Sequence, residues 1–400
     1  MNDKVNSSPR NENRRLRVSI SAAEVFYNCC IASGNFSAVL MQSLGLSAGS
    51  VGLVTSLCSV SGIAAPPIWG AAADKMQSVS KCFLLCLTLS AVMMLLVPLT
   101  AASQAEAVLI PAVLVLSALF TGPANNMSEL WLVQIGNSGR GISYGSVRLW
   151  ASLGYAVMSL IYSRVLTDHP VTLAYGLYFV FAVPAVVIAS RLVNIPLGKN
   201  PEKKRIRLKD MPFKSLLCPA VIFFTLFSCL LNLAGSAKNT FFIYILNDYG
   251  LSSTAIAGFM ALSAFLEIPA LMISQKVIDR AGPILPIVVC VFAQAAETLL
   301  YVIGASVPFI ILGQMLKGLS AGLLMSARIQ YLWKIAPSGL EATTQTLIGS
   351  LSALVNIPIL AVSGFLLDAA GVRLFYLILC AAELMSLIML ALPRMKKKNR

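Results

Sequence analysis

Twelve apolar runs, each about twenty residues or longer, set the first limit on what this chain can become. They cover roughly 19–41, 51–72, 82–101, 107–133, 144–166, 170–193, 216–246, 252–277, 284–304, 308–333, 341–366 and 374–393. Runs of that length with few charges match the hydrocarbon thickness of a bilayer. Inside lipid the backbone must satisfy its own hydrogen bonds, and a helix does so within one segment. The expected fold is therefore an all-α membrane protein with twelve transmembrane helices. Composition agrees: 58% of the 400 residues are apolar, only 12% are charged, and mean hydropathy is +0.81. A soluble domain carries about 25% charged residues. Pro66, Pro67, Pro123, Pro269 and Pro358 lie inside runs and predict kinked helices.

The net charge of +14 has a one-sided distribution. Lys4, Arg10, Arg14, Arg15 and Arg17 precede the first span. Lys199, Lys203, Lys204, Arg205, Arg207, Lys209 and Lys214 lie between the sixth and seventh spans, and Arg394, Lys396, Lys397, Lys398 and Arg400 follow the last. With twelve spans all of these fall on one side, together with Lys75, Lys81, Arg140, Lys276, Arg280 and Lys334. That is the positive-inside pattern of a multi-pass protein in the cytoplasmic membrane with both termini cytoplasmic. The basic tails face lipid headgroups at most, and no nucleic-acid partner is implied. The first span is too long for a cleavable signal and reads as a retained helix. The expected layout is a cytoplasmic N-tail (1–18), a six-helix bundle (19–193), a cytoplasmic linker (194–215), a second six-helix bundle (216–393) and a basic C-tail (394–400).

Nothing in the sequence points to an enzyme. The one histidine, His169, lies in an outer loop, and the nine cysteines form no CxxC pair, so they read as buried free thiols. There is no metal-ligand cluster, phosphate loop or nucleophile elbow, so no metal or cofactor is expected.

The halves echo each other. GLSAGSVG begins at Gly45 and GLSSTAIAG at Gly250, an offset of 250 − 45 = 205. Asp74 follows Gly45 by 74 − 45 = 29 positions, and Asp279 follows Gly250 by 279 − 250 = 29, each with a basic neighbour, Lys75 or Arg280. The repeat is parallel, six spans plus six. Such duplicated halves around a long hydrophilic linker, NIPLGKNPEKKRIRLKD (194–210), resemble the major facilitator superfamily. WGAAADKMQSVSK (69–81) resembles that superfamily's loop between helices 2 and 3, with Gly70, Asp74, Lys75 and Lys81 matching, although its second glycine and tight basic pair are missing. The resemblance implies a gate latch at Gly70, Asp74, Lys75, Asp279 and Arg280; the residues alone equally describe a charged turn that fixes topology.

Ionisable groups inside spans are costly and usually face a partner or a cavity. Arg148, Ser152, Tyr155, Ser159 and Tyr162 repeat at helical spacing along span 5. Similar stripes carry Glu24, Asn28 and Asn35 on span 1, Ser228, Asn232, Ser236 and Asn239 on span 7, and Ser263, Glu267 and Ser274 on span 8. Lys317 and Arg328 share a face of span 10, and Gln345, Ser352 and Asn356 a face of span 11. Glu297 and Glu383, on spans 9 and 12, read as a structural hydrogen bond or a protonated acid, not a substrate contact.

YGSVRLWASLGYA (144–156), EIPALMISQKVIDRAG (267–282) and QMLKGLSAGLL (314–324) resemble the lactose-permease and phenylpropionate-permease-like branch. The resemblance implies a secondary active transporter, acting as a monomer by alternating access and moving a small polar or anionic organic solute with protons. It carries substrate binding onto Arg148 and Glu129, with Lys317, Asn232, Asn356, Ser152 and Tyr155 around them. Lys317 and Ser320 replace that branch's helix-10 histidine and glutamate, so proton coupling would pass to Glu267, Glu129 or Glu24. The residues also allow plainer readings, an Arg148–Glu129 pair that ties spans 4 and 5 together and a Lys317–Glu267 ion pair. The competing function on the same fold is a proton-antiport exporter of drugs or metabolites.

Overall fold

The computed structural model describes residues 9–101, 103–136, 138, 142, 144–193, 218–252, 255–304, 306–337 and 341–398. The linker, Lys4 and the Arg10 side chain of the N-tail, Arg140 and the C-tail's basic side chains lie outside the described residues. What is described is helical, without strands. The elements are α1 (Pro9–Ile31), a 3₁₀ turn (Ala32–Phe36), α2 (Ser37–Ser43), α3 (Ala48–Met76), α4 (Val79–Thr100), α5 (Glu106–Gly136), α6 (Tyr144–Val165) and α7 (Leu173–Leu192). After the linker follow α8 (Pro219–Thr240), α9 (Phe242–Asp248), α10 (Ala255–Ala281), α11 (Ile284–Ile303), α12 (Val307–Ile335) and α13 (Glu341–Lys398). α13 is two helices joined at Gly371, where the backbone turns to φ 77. Counting that break, and pairing α1 with α2 and α8 with α9, the described residues make twelve passes.

Nine helical stretches are long and apolar enough to cross a membrane, among the described residues. α1 and α6 are not among them; they carry Glu24 and the arginines Arg148 and Arg164. Large apolar side chains stand exposed, including Val108 (71%) and Met272 (75%), the inverse of a water-soluble surface and what a lipid-facing helix requires. The first helix starts at Pro9, ahead of the apolar run. Asp74 and Lys75 fall in the last turn of α3, and Asp279 and Arg280 in the last turn of α10, instead of in the loops beyond them. A helix needs no apolar residue to keep its last turn, so hydropathy ends it too early.

The repeat is written into the backbone. Ser37–Ser43 plus 205 gives Phe242–Asp248, the bounds of α9. Both short helices end on a left-handed glycine, Gly45 at φ 76 and Gly250 at φ 67. Leu46 N donates to Met41 O at 3.2 Å, and its counterpart Leu251 N donates to Leu246 O at 2.8 Å. This is the Schellman stop, in which a residue without a Cβ penalty closes the helix.

The helices sort into two compact units. The first holds residues 1–34, 64–161 and 168–205. In it α4 packs on α5 and α7, and α1 on α7. Its core includes an aromatic chain in which Tyr27 meets Phe83 edge-on at 5.2 Å and Phe83 lies 5.7 Å from Trp131.

The second unit holds residues 35–63, 162–167 and 206–400. There α8 packs on α13, and α12 on α10 and α11, around Phe224, Phe227, Ile287, Val291 and Tyr331. Small residues set its closest helix approaches. A Cβ on Gly318 would run into the Ser263 carbonyl, and one on Gly322 would stand 2.7 Å from the Glu267 carbonyl. At the start of α3, Asp368 accepts from Ala48 N at 3.1 Å and Gly49 N at 2.7 Å, serving orphan donors of the helix end. Beside it, a Cβ on Gly364 would collide with the Ala48 carbonyl. Gly364→Val is therefore expected to destabilise the purified protein by about 1–3 kcal/mol, read as a lower melting temperature in detergent. An unchanged melt would show that α3 and α13 can part without loss.

Candidate functional site

In the first unit the polar groups of three helices converge. Arg148, one turn into α6, donates through Nη1 to Glu129 Oε1 on α5 at 2.8 Å. Both side chains are only partly covered, with 40% and 37% exposure. Next to them Glu24 of α1 is buried. It accepts from Ser128 Oγ at 2.6 Å and from Asn28 Nδ2 at 3.4 Å. Arg148 and Glu129 both lie within electrostatic reach of Glu24. α6 is held close to α1 at Gly154, whose Cβ would stand 2.8 Å from the Val25 carbonyl. Ser152 and Tyr155 continue the stripe, half-buried, and Ser159 beyond them is fully buried. The group offers a charged donor and a charged acceptor side by side, backed by a buried carboxyl.

Glu24 depends on its serine. Ser128→Ala removes the shorter of its two side-chain bonds, and a buried acceptor left short of a donor costs about 1–3 kcal/mol. The expected result is a lower melting temperature, with Ser128→Thr, which keeps the hydroxyl, melting closer to the parent.

In the second unit Lys317 of α12 donates to Asn239 Oδ1 of α8 at 2.7 Å and touches Met260 Sδ at 3.4 Å. The sequence also allowed an ion pair with Glu267; the hydrogen bond goes to Asn239, and Glu267 lies within electrostatic reach of the ammonium. Glu267 is half-buried on α10, on the turn that Gly322 packs against. Asn356 Nδ2 of α13 donates to Ser236 Oγ of α8 at 3.1 Å, and Asn232, one turn before Ser236, is half-buried. At the far ends of these helices Gln275 Nε2 donates to Asp279 Oδ1, and Gln330 Nε2 to Gln275 Oε1, each at 2.7 Å. Arg280 and Lys75 are exposed, and a Cβ on Gly70 would meet open space. The Asp74 side chain lies outside the described residues.

The best-formed charge cluster was missed from sequence. Lys238 of α8 lies 2.9 Å from Glu297 Oε2 of α11 and 2.8 Å from Glu383 Oε1 of α13, with side-chain exposures of 5%, 2% and 0%. The signal was present. Two acids on apolar spans call for a cation, and Lys238 is the lysine of span 7.

Twelve helical passes arranged as a 205-residue repeat, with ion pairs between the helices, fit a multi-pass membrane transporter of the major facilitator superfamily, the class to which the family model and the curated relatives assign the chain. The chain belongs to the MFS_1 like family, whose model matches residues 25–378. It is similar to the maltose permease of Geobacillus stearothermophilus, 26% identical over 372 residues that cover 91% of this chain and 90% of the relative. The uncharacterized transporter YwbF of Bacillus subtilis (strain 168) is also 26% identical, over 321 residues covering 78% and 76%. Among solved structures, a point mutant of the nucleoside transporter NupG superposes with a TM-score of 0.80 at 15% identity, covering 94% of this chain and 99% of that one. A D-xylose-proton symporter gives a TM-score of 0.69 at 11% identity, covering 94% and 96%.

Proposed function

We propose that this transporter is a secondary active carrier that takes up a small polar organic solute across the cytoplasmic membrane with protons, by alternating access of two six-helix halves, 19–193 and 216–393. The carrying observation is the half-exposed Arg148–Glu129 pair at 2.8 Å. An arginine salt-bridged to a glutamate is close to neutral as a unit, yet presents N–H donors beside carboxylate acceptors. That combination suits a solute rich in hydroxyls, which can both give and take hydrogen bonds, better than a bare anion. The names of the relatives lean the same way: a maltose permease, a nucleoside transporter and a D-xylose-proton symporter. Ser152 and Tyr155 extend the contact surface along α6, and Lys317, Asn232 and Asn356 are proposed as further substrate-binding residues. Glu24, Glu129 and Glu267 are the acids proposed to exchange the coupled proton. Gly70, Asp74, Lys75, Asp279 and Arg280 are proposed as the cytoplasmic latch. Both termini face the cytoplasm, and the working unit is a monomer.

A thermal-shift screen of the purified protein against sugars, nucleosides and aromatic acids tests this reading, with Arg148→Ala as the control. A sugar or nucleoside that raises the melting temperature of the parent and not of the variant supports it. Stabilisation by aromatic acids alone would move the substrate to the anionic class, with Lys317 as its anchor. Stabilisation that persists in Arg148→Ala would remove the site. Uptake and efflux of the hit in vesicles under pH gradients of either sign then separates symport from export on the same fold.

A further inference from the structure

The cluster around Lys238 can be counted hydrogen by hydrogen. The ammonium has three, and three acceptors surround it: Glu297 Oε2 at 2.9 Å, Glu383 Oε1 at 2.8 Å and Thr298 Oγ1 at 3.1 Å. Tyr301 accepts from Gln314 Nε2 at 2.8 Å and gives its one hydrogen to Glu297 Oε1 at 3.0 Å. Glu297 thus has a donor on each oxygen. Glu383 Oε2 is left, 2.8 Å from Thr298 Oγ1. The same threonine oxygen lies 3.0 Å from the Gln294 carbonyl, which can only accept. One hydroxyl hydrogen cannot serve both. All contacts close only when Thr298 donates to the carbonyl and Glu383 brings a hydrogen of its own, its Oε2–H donating to Thr298 Oγ1.

Charge gives the same answer. With both acids ionised the cluster is one cation against two anions, buried among helices, and an uncompensated buried charge is expensive. With Glu383 neutral it is one against one. The other titratable groups facing it are Tyr301 on α11, Tyr376 and Cys380 on α13 and Lys317 on α12. The first three are neutral in their ordinary forms. Lys317 acts on Glu297 from a distance while its hydrogen bond goes to Asn239.

We infer that Glu383 carries a proton and that Lys238, Glu297, Thr298 and Glu383 form a buried proton-binding site within the second unit. The inference is independent of the solute, of the Arg148 site and of the acids proposed for coupling. The experiment is infrared spectroscopy of the detergent-purified protein in H2O and D2O, where a protonated carboxyl gives an isotope-sensitive C=O band. Glu383→Gln is expected to lose intensity from that band. Melting gives a second reading. Glutamine at 383 is a neutral isostere whose amide can donate to Thr298, so Glu383→Gln should melt close to the parent. Lys238→Met leaves Glu297 without its cation and should melt at least about 5 °C lower. An unchanged band in Glu383→Gln overturns the assignment. A melt in which Glu383→Gln falls as far as Lys238→Met overturns it too.

Discussion

Arg148→Ala is expected to abolish uptake of the transported solute while the protein still reaches the membrane and keeps its fold. The guanidinium is half-exposed and pairs with a half-exposed Glu129, so removing it leaves that carboxylate within reach of water. The structural cost is that of an exposed pair, about 0–1 kcal/mol. The functional cost is that of truncating one partner of a charged recognition pair, about 2–5 kcal/mol, or roughly 30-fold to several thousand-fold in apparent affinity. Glu129→Gln should behave likewise, since an amide offers one acceptor where the carboxylate offered two. Initial uptake rates normalised to membrane abundance make the measurement. Normal rates in both variants would reduce Arg148 and Glu129 to a tie between α5 and α6.

Lys238→Met has the opposite signature, a large loss of stability whatever happens to transport. It strips the counter-cation from Glu297, whose side chain is 2% exposed, and breaking one side of a buried pair costs about 3–5 kcal/mol. The double variant Lys238→Met with Glu297→Gln removes both charges and should recover most of that loss. Melting temperatures of the single and double variants provide the test. A double variant no more stable than Lys238→Met would mean that the lysine's packing, not its charge, holds α8, α11 and α13 together.

The features legible in the sequence share a physical cause, their short range along the chain. Gly45 and Gly250 announce two helix stops because only a residue without a Cβ takes the left-handed turn cheaply. Arg148 and Glu129 are neighbours because 148 − 129 = 19 residues and one loop separate them on consecutive helices. The hydrogen bond from Lys317 to Asn239 was not legible, and, although the two acids called for a cation, neither were the helix faces that bring Lys238 to Glu297 and Glu383. They depend on which way non-adjacent helices rotate as they pack, and an apolar sequence leaves that rotation open. Lys238 was further hidden by averaging: one lysine hardly lowers the mean hydropathy of a 22-residue helix. The last turns holding Asp74, Lys75, Asp279 and Arg280 were misjudged as loops because charge was taken to mark the end of a helix, when it marks the end of the hydrocarbon.

The repeat also bears on the Lys238 cluster. An offset of 205 that holds from α2 and α9 through the starts of α4 and α11 lets each residue of the cluster be traced to its twin. The twin of Lys238 is 238 − 205 = 33, a serine whose hydroxyl donates back to the Cys30 carbonyl at 2.9 Å. The twin of Glu297 is 297 − 205 = 92, a valine with 45% of its surface exposed. One copy of the duplicated bundle therefore folds without either charge. The buried ions are a feature of one half and not of the repeat pattern itself, which the other half keeps without them.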